Sequence, residues 1–323
     1  MTRIEVHAPG GPDQMKLVQV PTLEPGPHEA LVAISVSGVN FIDVYYRSGA
    51  YKVDQPITLG SEGAGVVEQV GAEVTEVAVG DRVAYTLVRG SYADYAVVPA
   101  SHLVKLPDAI SFETAAAVML QGTTAHYLTR STFALEAGHT CLVHAAAGGL
   151  GGLLVQMAKE RGARVIGTVS TEEKAAAARE SGVDDVIQYT TQDFETEVKR
   201  LTGGRGVDVV YDTVGRSTFD KSLKVIRPRG MMVLIGQSSG AVAPMDPAIL
   251  NARGSLFLTR PTLAHYLATR EELLWRVGDL MALLQSGKLR LHISQVYPLA
   301  EAAQAHRDLE SRKTIGKLLL RAR

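Results

Sequence analysis

The chain has 323 residues, 46% of them apolar and 21% charged, with a formal net charge of -1. That length and composition point to two compact units and exclude wholesale disorder, and the near-zero charge gives no case for nucleic acid or an anionic membrane as partner. The single cysteine, Cys141, excludes an intramolecular disulfide and any zinc site built on several thiolates; no run reaches the about 20 apolar residues of a membrane-spanning helix, so a soluble, cytoplasmic protein is expected.

The first hundred residues are short β-branched runs broken by Gly and Pro, among them LVAISVSGVN, GAGVVEQVGAEV, DRVAYTLV and YADYAVVPA. They predict a compact β-rich unit with turns at EPGPHE and VGD. At Ser111 the texture changes, and the alanine-rich SFETAAAVMLQGTTAHYLTRS predicts a helix from near Phe112.

From Thr140 an apolar strand, TCLVHAA, runs through glycines into a helix, LLVQMAKERG, then a strand, ARVIGTVS, and a helix, TEEKAAAARESG. Strands DDVIQY, VDVVYDTV and MMVLIGQ follow, with helices between them such as TFDKSLKVIRP. This alternation predicts parallel βαβ units with helices on both faces, and the nearly continuous apolar runs fit strands buried on both sides. After about Arg260 come a long amphipathic helix (TREELLWRVGDLMALLQSGK), a strand (HISQVYPL), a helix (AEAAQAHRDLES) and a last strand (IGKLLLR).

The stretch AAAGGLGG follows a strand and opens a helix, the context of a dinucleotide fingerprint. The best register sets Ala146, Gly148 and Gly151 in the three glycine places of G-x-G-x-x-G. Gly148 lets the backbone approach a pyrophosphate, Gly151 lets the helix pack on the strand, and the helix N-terminus offers N–H groups to the anion through Ala147, Gly149 and Leu150. The end of the next strand selects the nucleotide, because an acidic side chain there binds the ribose hydroxyls of NAD and repels a 2′-phosphate. In GTVSTEEK no acid stands before Glu172. Ser170 and Lys174 form a phosphate cradle and favour NADPH; alternatively Ser170 and Glu173 make a capping box, with Lys174 a solvated helix residue.

The segments GPDQMKL, SGVNFIDVYYRSGAY, GSEGAGVVEQVG, GDRVAY, HAAAGGLGG, VVYDTVG, RGMMVLIG and TRPTL, in this order, give the chain its family resemblance. It resembles the zinc-free NADPH:quinone oxidoreductases, the zeta-crystallin group of the medium-chain dehydrogenase/reductase superfamily. The resemblance implies an α/β protein: a Rossmann doubly wound parallel sheet (residues 125–260) and a GroES-like β-barrel catalytic domain assembled from residues 1–124 and 261–323. It also implies a homodimer, through the edge of the Rossmann sheet, with MMVLIGQSSGAVAP and SLFLTRP as plausible edge elements. Zinc-dependent members carry Cys at the position of Asn40, His at that of Ser61 and a further ligand near Met119–Gly122. Asn, Ser and MLQG stand here instead, which removes the Lewis acid that would stabilise an alkoxide and points to acceptors that are already electrophilic.

The same resemblance sets Asn40, Tyr45 and Tyr51 at the nicotinamide and substrate pocket. Asn40 can hydrogen-bond a ribose or carboxamide, and the tyrosines can orient or protonate an acceptor oxygen and flank a planar quinone. Asp43 and Glu62 read equally well as structural, fixing turns or pairing with Arg47 or Arg82. Cofactor contacts are carried onto Phe41, Ile42, Thr124, Tyr189, the segment Ile235, Gly236, Gln237 and Ser238, and Arg312. His126 and His144 read as structural, and Cys141 as inert core. The implied reaction is hydride transfer from NADPH to a quinone or a related activated carbonyl. Two alternatives are reduction of an enal or enone double bond, and a non-enzymatic NADPH-binding protein of the crystallin or RNA-binding kind.

Overall fold

The computed structural model describes residues 1–322. The chain divides into two compact units: Met1–Thr123 with Leu267–Gly287 and the stretch from Leu291 onward, and Thr124–Tyr266 with Lys288–Arg290.

The first unit is built around the 11-residue strand Glu29–Val39. Glu62–Val70 pairs antiparallel along its length, while Tyr95–Pro99 and Lys317–Arg321 pair with its first and last parts. Arg82–Thr86 and Val104–Lys105 extend the sheet on one side, and Ile293–Pro298 lies parallel to Lys317–Arg321 on the other. Alternate residues Ala30, Val32 and Ile34 enter one apolar core with Val67, Val83, Tyr85 and Val98, as the two-residue period of a strand requires. A second core forms where Leu318 and Leu320 meet Ile4, Val6, Leu59 and Tyr92.

The β-rich reading of the first hundred residues missed one helix, Phe41–Ser48. The Asp43 carboxylate accepts the Asn40 N–H at 3.1 Å, and Gly49 ends the helix in the left-handed region (φ 79°). These are ordinary start and stop signals, hidden in FIDVYYRS by aromatic and β-branched residues.

The second unit holds a six-stranded, wholly parallel sheet. Its strand order is Asp185–Gln188, Arg164–Val169, Thr140–Val143, Val207–Asp212, Ile226–Leu234 and Phe257–Thr259, the doubly wound arrangement that reverses direction at the first strand. Helices Gly149–Glu160, Glu172–Glu180 and Phe194–Leu201 connect the early strands.

Two expectations change here. The helix read at TFDKSLKVIRP is only Phe219–Leu223, and Ile226 already begins a strand; β-branched Val225 and Ile226 followed by Pro228 cannot continue a helix. The segment MMVLIG is interior, between Val207–Asp212 and Phe257–Thr259. The edge on that side belongs to Phe257–Thr259 alone, with Phe257 59% and Leu258 37% exposed.

Candidate functional site

In the second unit the glycine run forms a tight turn from the first strand into the helix Gly149–Glu160. Ala145 takes a left-handed φ of 54°, and Gly148 begins the helix with no side chain capping the first turn. A Cβ at Gly151 would stand 2.2 Å from the Ala145 carbonyl oxygen, so only glycine allows this approach. Ala146 replaces the expected first glycine because Gly167 on the neighbouring strand makes room: a Cβ at Gly167 would stand 2.8 Å from that of Ala146. The uncapped amides and the cradle fit a pyrophosphate.

At the end of Arg164–Val169, Thr171 caps the following helix by accepting the Lys174 N–H at 3.3 Å. The capping box of Ser170 and Glu173 is therefore not formed; Thr171 stands at the N-cap, one residue further on. Glu172, the acid nearest the ribose position, is turned to Arg179 (2.8 Å) and to the Gln188 amide (2.8 Å). Its charge is matched by Arg179 on its own helix, which weakens its repulsion of a 2′-phosphate. Ser170 and Lys174 are half-buried and Tyr189 is exposed at the next strand end. Ile235, Gly236, Gln237 and Ser238 form the loop after Ile226–Leu234, and Thr124, buried, opens the unit.

In the first unit the segment after Val39 carries two adjoining arrangements. One is aromatic: the rings of Tyr45 and Tyr51 lie 5.2 Å apart, those of Phe41 and Tyr45 6.3 Å, and those of Tyr46 and Tyr51 5.8 Å. All four rings are half-buried. Tyr46 also packs on the apolar core and lies under Arg89, a packing role that separates it from Tyr45 and Tyr51. Ile42 is half-buried on the same helix, and Arg312 is exposed in a left-handed turn (φ 58°).

The other arrangement is a buried polar network. Asn40 Nδ2 donates to Glu62 Oε1 at 2.7 Å and to Gly38 O at 3.4 Å, and its Oδ1 accepts from Lys317 Nζ at 2.7 Å and Gln121 Nε2 at 3.1 Å. An ammonium only donates, so Lys317 fixes which end of the amide is which. Every donor and acceptor of the Asn40 amide is thus engaged, and the side chain is 3% exposed. The network fixes the orientation of the amide that the resemblance sets at the nicotinamide and substrate pocket. Glu62 also takes the Leu120 N–H at 2.6 Å, and it pairs with neither Arg47 nor Arg82 but with Lys317, a residue that no motif or spacing singles out.

Asp43 likewise does not pair with Arg47. Its Oδ1 accepts from Ser61 Oγ at 2.6 Å, and Tyr92 Oη lies 3.2 Å from its Oδ2. Burial pushes this carboxyl up to about 7; the Ser61 hydrogen bond opposes that and the Glu62 charge adds to it. Beyond Tyr92, His306 Nε2 is 3.2 Å from the phenol and its Nδ1 faces Arg47 Nη1 at 3.0 Å, while Arg47 holds Glu310 through two bonds of 2.9 Å. Burial, with Arg47 adding to it, brings His306 down to about 3.

Among the described residues no three His, Cys, Asp or Glu side chains converge, and Asn40 and Ser61 are committed to Glu62, Lys317 and Asp43.

The family described as "Alcohol dehydrogenase GroES-like domain" matches residues 26–108, and that described as "Zinc-binding dehydrogenase" matches residues 181–320. The chain is 47% identical over 320 residues to a quinone oxidoreductase of Pseudomonas aeruginosa, covering 98% of each. It is 42% identical to a 2-haloacrylate reductase of a Burkholderia species, covering 98% of this chain and 97% of that one. The structure of Escherichia coli quinone oxidoreductase complexed with NADPH superposes with a TM-score of 0.98 at 44% identity, over 99% of this chain and 100% of that one.

Proposed function

Because the chain belongs to the medium-chain dehydrogenase/reductase family, among its quinone oxidoreductases, we propose that it is an NADPH-dependent reductase of quinones and related activated carbonyls. The observation that carries the reading is the cradle at Gly148 and Gly151, a turn that only glycine allows at Gly151, followed by an uncapped helix N-terminus. Bound NADPH supplies the hydride; the protein supplies place and surroundings. Ala147, Gly148, Gly149 and Leu150 hold the pyrophosphate. Ser170 and Lys174 hold the 2′-phosphate, with Tyr189 beside the adenosine, and Thr124 and Ile235–Ser238 serve the other half of the dinucleotide.

In the first unit Tyr45 and Tyr51 present phenols and ring faces to a flat acceptor, and Phe41 and Ile42 complete that apolar surface. Asn40 holds Gln121 in place under the control of Lys317. The reaction proceeds without zinc, since a quinone disperses the developing negative charge over its own ring and has less need of a Lewis acid. The assembly is a homodimer through the exposed edge Phe257–Thr259, where two apolar side chains stand in water.

The test is oxidation of NADPH and NADH in parallel, with 1,4-benzoquinone as acceptor and a metal chelator present. Turnover with NADPH, insensitive to chelator, is expected; chelator-sensitive turnover refutes the zinc-free assignment, and NADH preference refutes the phosphate cradle. The 2-haloacrylate reductase relative favours a second reading, reduction of an activated carbon–carbon double bond. An alkenal offered beside the quinone separates the two, and a chain that reduces only the alkenal removes the quinone assignment.

A further inference from the structure

Asp212 ends the strand Val207–Asp212 and is fully buried. Its Oδ1 accepts the backbone N–H of Val214 at 2.8 Å and of Gly215 at 2.9 Å, and the Thr218 hydroxyl bonds the same carboxylate at 2.7 Å. The turn shaped in this way is the bed for the loop that follows Ile226–Leu234. Asp212 O accepts the Ile235 N–H at 2.7 Å, Thr213 O the Ser238 N–H at 3.4 Å, and Val214 O the Ser239 N–H at 2.9 Å. Two glycines permit this backbone-on-backbone contact. A Cβ on Gly236 would meet Thr213 O at 2.6 Å, and one on Gly215, at φ +87°, would meet Gln237 Cα at 3.1 Å.

Behind Asp212 runs a directed chain of buried side chains. Ser222 Oγ donates to Asp212 Oδ2 at 3.3 Å, His144 Nε2 lies 2.9 Å from Ser222 Oγ, and His144 Nδ1 lies 2.9 Å from Thr168 Oγ1. A carboxylate only accepts, so the Ser222 hydrogen points to Asp212; Ser222 Oγ then accepts from His144 Nε2–H, and Nδ1 accepts from Thr168. Burial holds the His144 pKa below its ordinary range, in keeping with this neutral tautomer.

Strand order says which half of a dinucleotide the loop serves. Ser170 follows the strand on one side of the glycine turn, whereas Asp212 and Ile235 follow strands on the other. The adenosine lies toward Ser170, so the nicotinamide half lies toward Asp212.

We propose that Asp212, held by Ser222 and His144, is a positioning residue that sets the Ile235–Ser238 loop against the nicotinamide half of NADPH. This rests on the reading that NADPH binds this unit with its adenosine at Ser170. Asp212 acts through the loop backbone and touches no reacting atom.

The test compares two ligands by titration calorimetry: NADPH, and 2′-phospho-ADP-ribose, which lacks the nicotinamide. In Asp212→Asn and in the milder Ser222→Ala, NADPH binding should weaken about five- to thirty-fold, the loss expected from one buried hydrogen bond and its unpaired partner. Binding of 2′-phospho-ADP-ribose should stay within about twofold, and the fluorescence of bound NADPH should shift. Equal losses for both ligands, or no loss for either, overturns the proposal; Ser222→Ala decides it alone if Asp212→Asn fails to fold. A wild-type chain that binds NADPH yet reduces no quinone refutes the proposed reaction and leaves this comparison fully decisive. One that binds NADPH no more tightly than 2′-phospho-ADP-ribose overturns the positioning role itself.

Discussion

Lys317 Nζ donates to Asn40 Oδ1 at 2.7 Å and to Glu62 Oε1 at 2.5 Å, joining residues 277 and 255 positions away in the chain. Glu62 is wholly buried and Lys317 3% exposed, so each charge depends on the other. Lys317→Met should leave the Glu62 carboxylate uncompensated and cost about 3–5 kcal/mol, whereas Lys317→Met with Glu62→Gln should recover much of the loss. Chemical denaturation of the two variants measures the difference.

The buried pair Asp43 and His306, joined through Tyr92, predicts opposing pH dependences. Asp43 is raised from an ordinary 3.8 to about 7, so its stabilising contribution is complete below pH 3.8 and is lost as pH rises toward 7. His306 is lowered from 6.5 to about 3, so its contribution is complete above 6.5 and is lost as pH falls toward 3. Between pH 4 and 6.5 the two slopes oppose each other. Asp43→Asn should therefore expose the histidine slope, with stability rising by up to about 1.4 kcal/mol per pH unit, and His306→Gln should expose the reverse. Unfolding midpoints across that window that keep the wild-type slope in both variants would count against this pairing.

Gly151→Ala should be poorly tolerated, since the new Cβ meets a backbone oxygen at 2.2 Å and the turn must open to admit it. An overpacking cost of about 1–3 kcal/mol is expected, together with a loss of NADPH affinity that Gly80→Ala, tested in parallel, should not share. Gly80 has nothing within 4 Å of its Cβ position and tests the backbone effect of φ +91° alone.

Ser170→Asp should exchange the nucleotide preference. A carboxylate at this strand end repels the 2′-phosphate and accepts ribose hydroxyls, so kcat/KM for NADPH should fall at least about tenfold while that for NADH holds or rises. Lys174→Ala should weaken NADPH selectively, and an equal effect on both nucleotides would place the lysine outside the phosphate site.

The second unit was largely legible because its information is local. Each strand is an apolar run, and the glycine turn falls between TCLV and LLVQMAKE, where strand and helix periods meet. Where local signals competed, as at Val225 and Ile226, the helix was read too long. The polar network of the first unit was not legible, because Asn40, Glu62, Gln121 and Lys317 come from four distant segments and none carries a spacing that announces the others. Lys317, in IGKLLLR, looks like one charge in a strand until the pairing of Leu318 with Val39 brings its neighbour Lys317 to Asn40. The helix Phe41–Ser48 was missed for the opposite reason: its signals were present but outweighed by its β-favouring composition.

The interleaving of the two units along the chain also sets an order of events during synthesis. The parallel-sheet unit has nearly all of its chain by Tyr266 and can collapse while translation continues. The first unit must wait, because the strand Lys317–Arg321 that pairs with Glu29–Val39 is made after every strand of the parallel-sheet unit. Until it emerges from the ribosome, Glu62 has no ammonium to meet and the edge of Glu29–Val39 stays open at Val36–Val39. The nascent chain therefore carries an unfinished sheet until Lys317–Arg321 is made, and a product stalled or truncated before it is the form most exposed to aggregation and to chaperones.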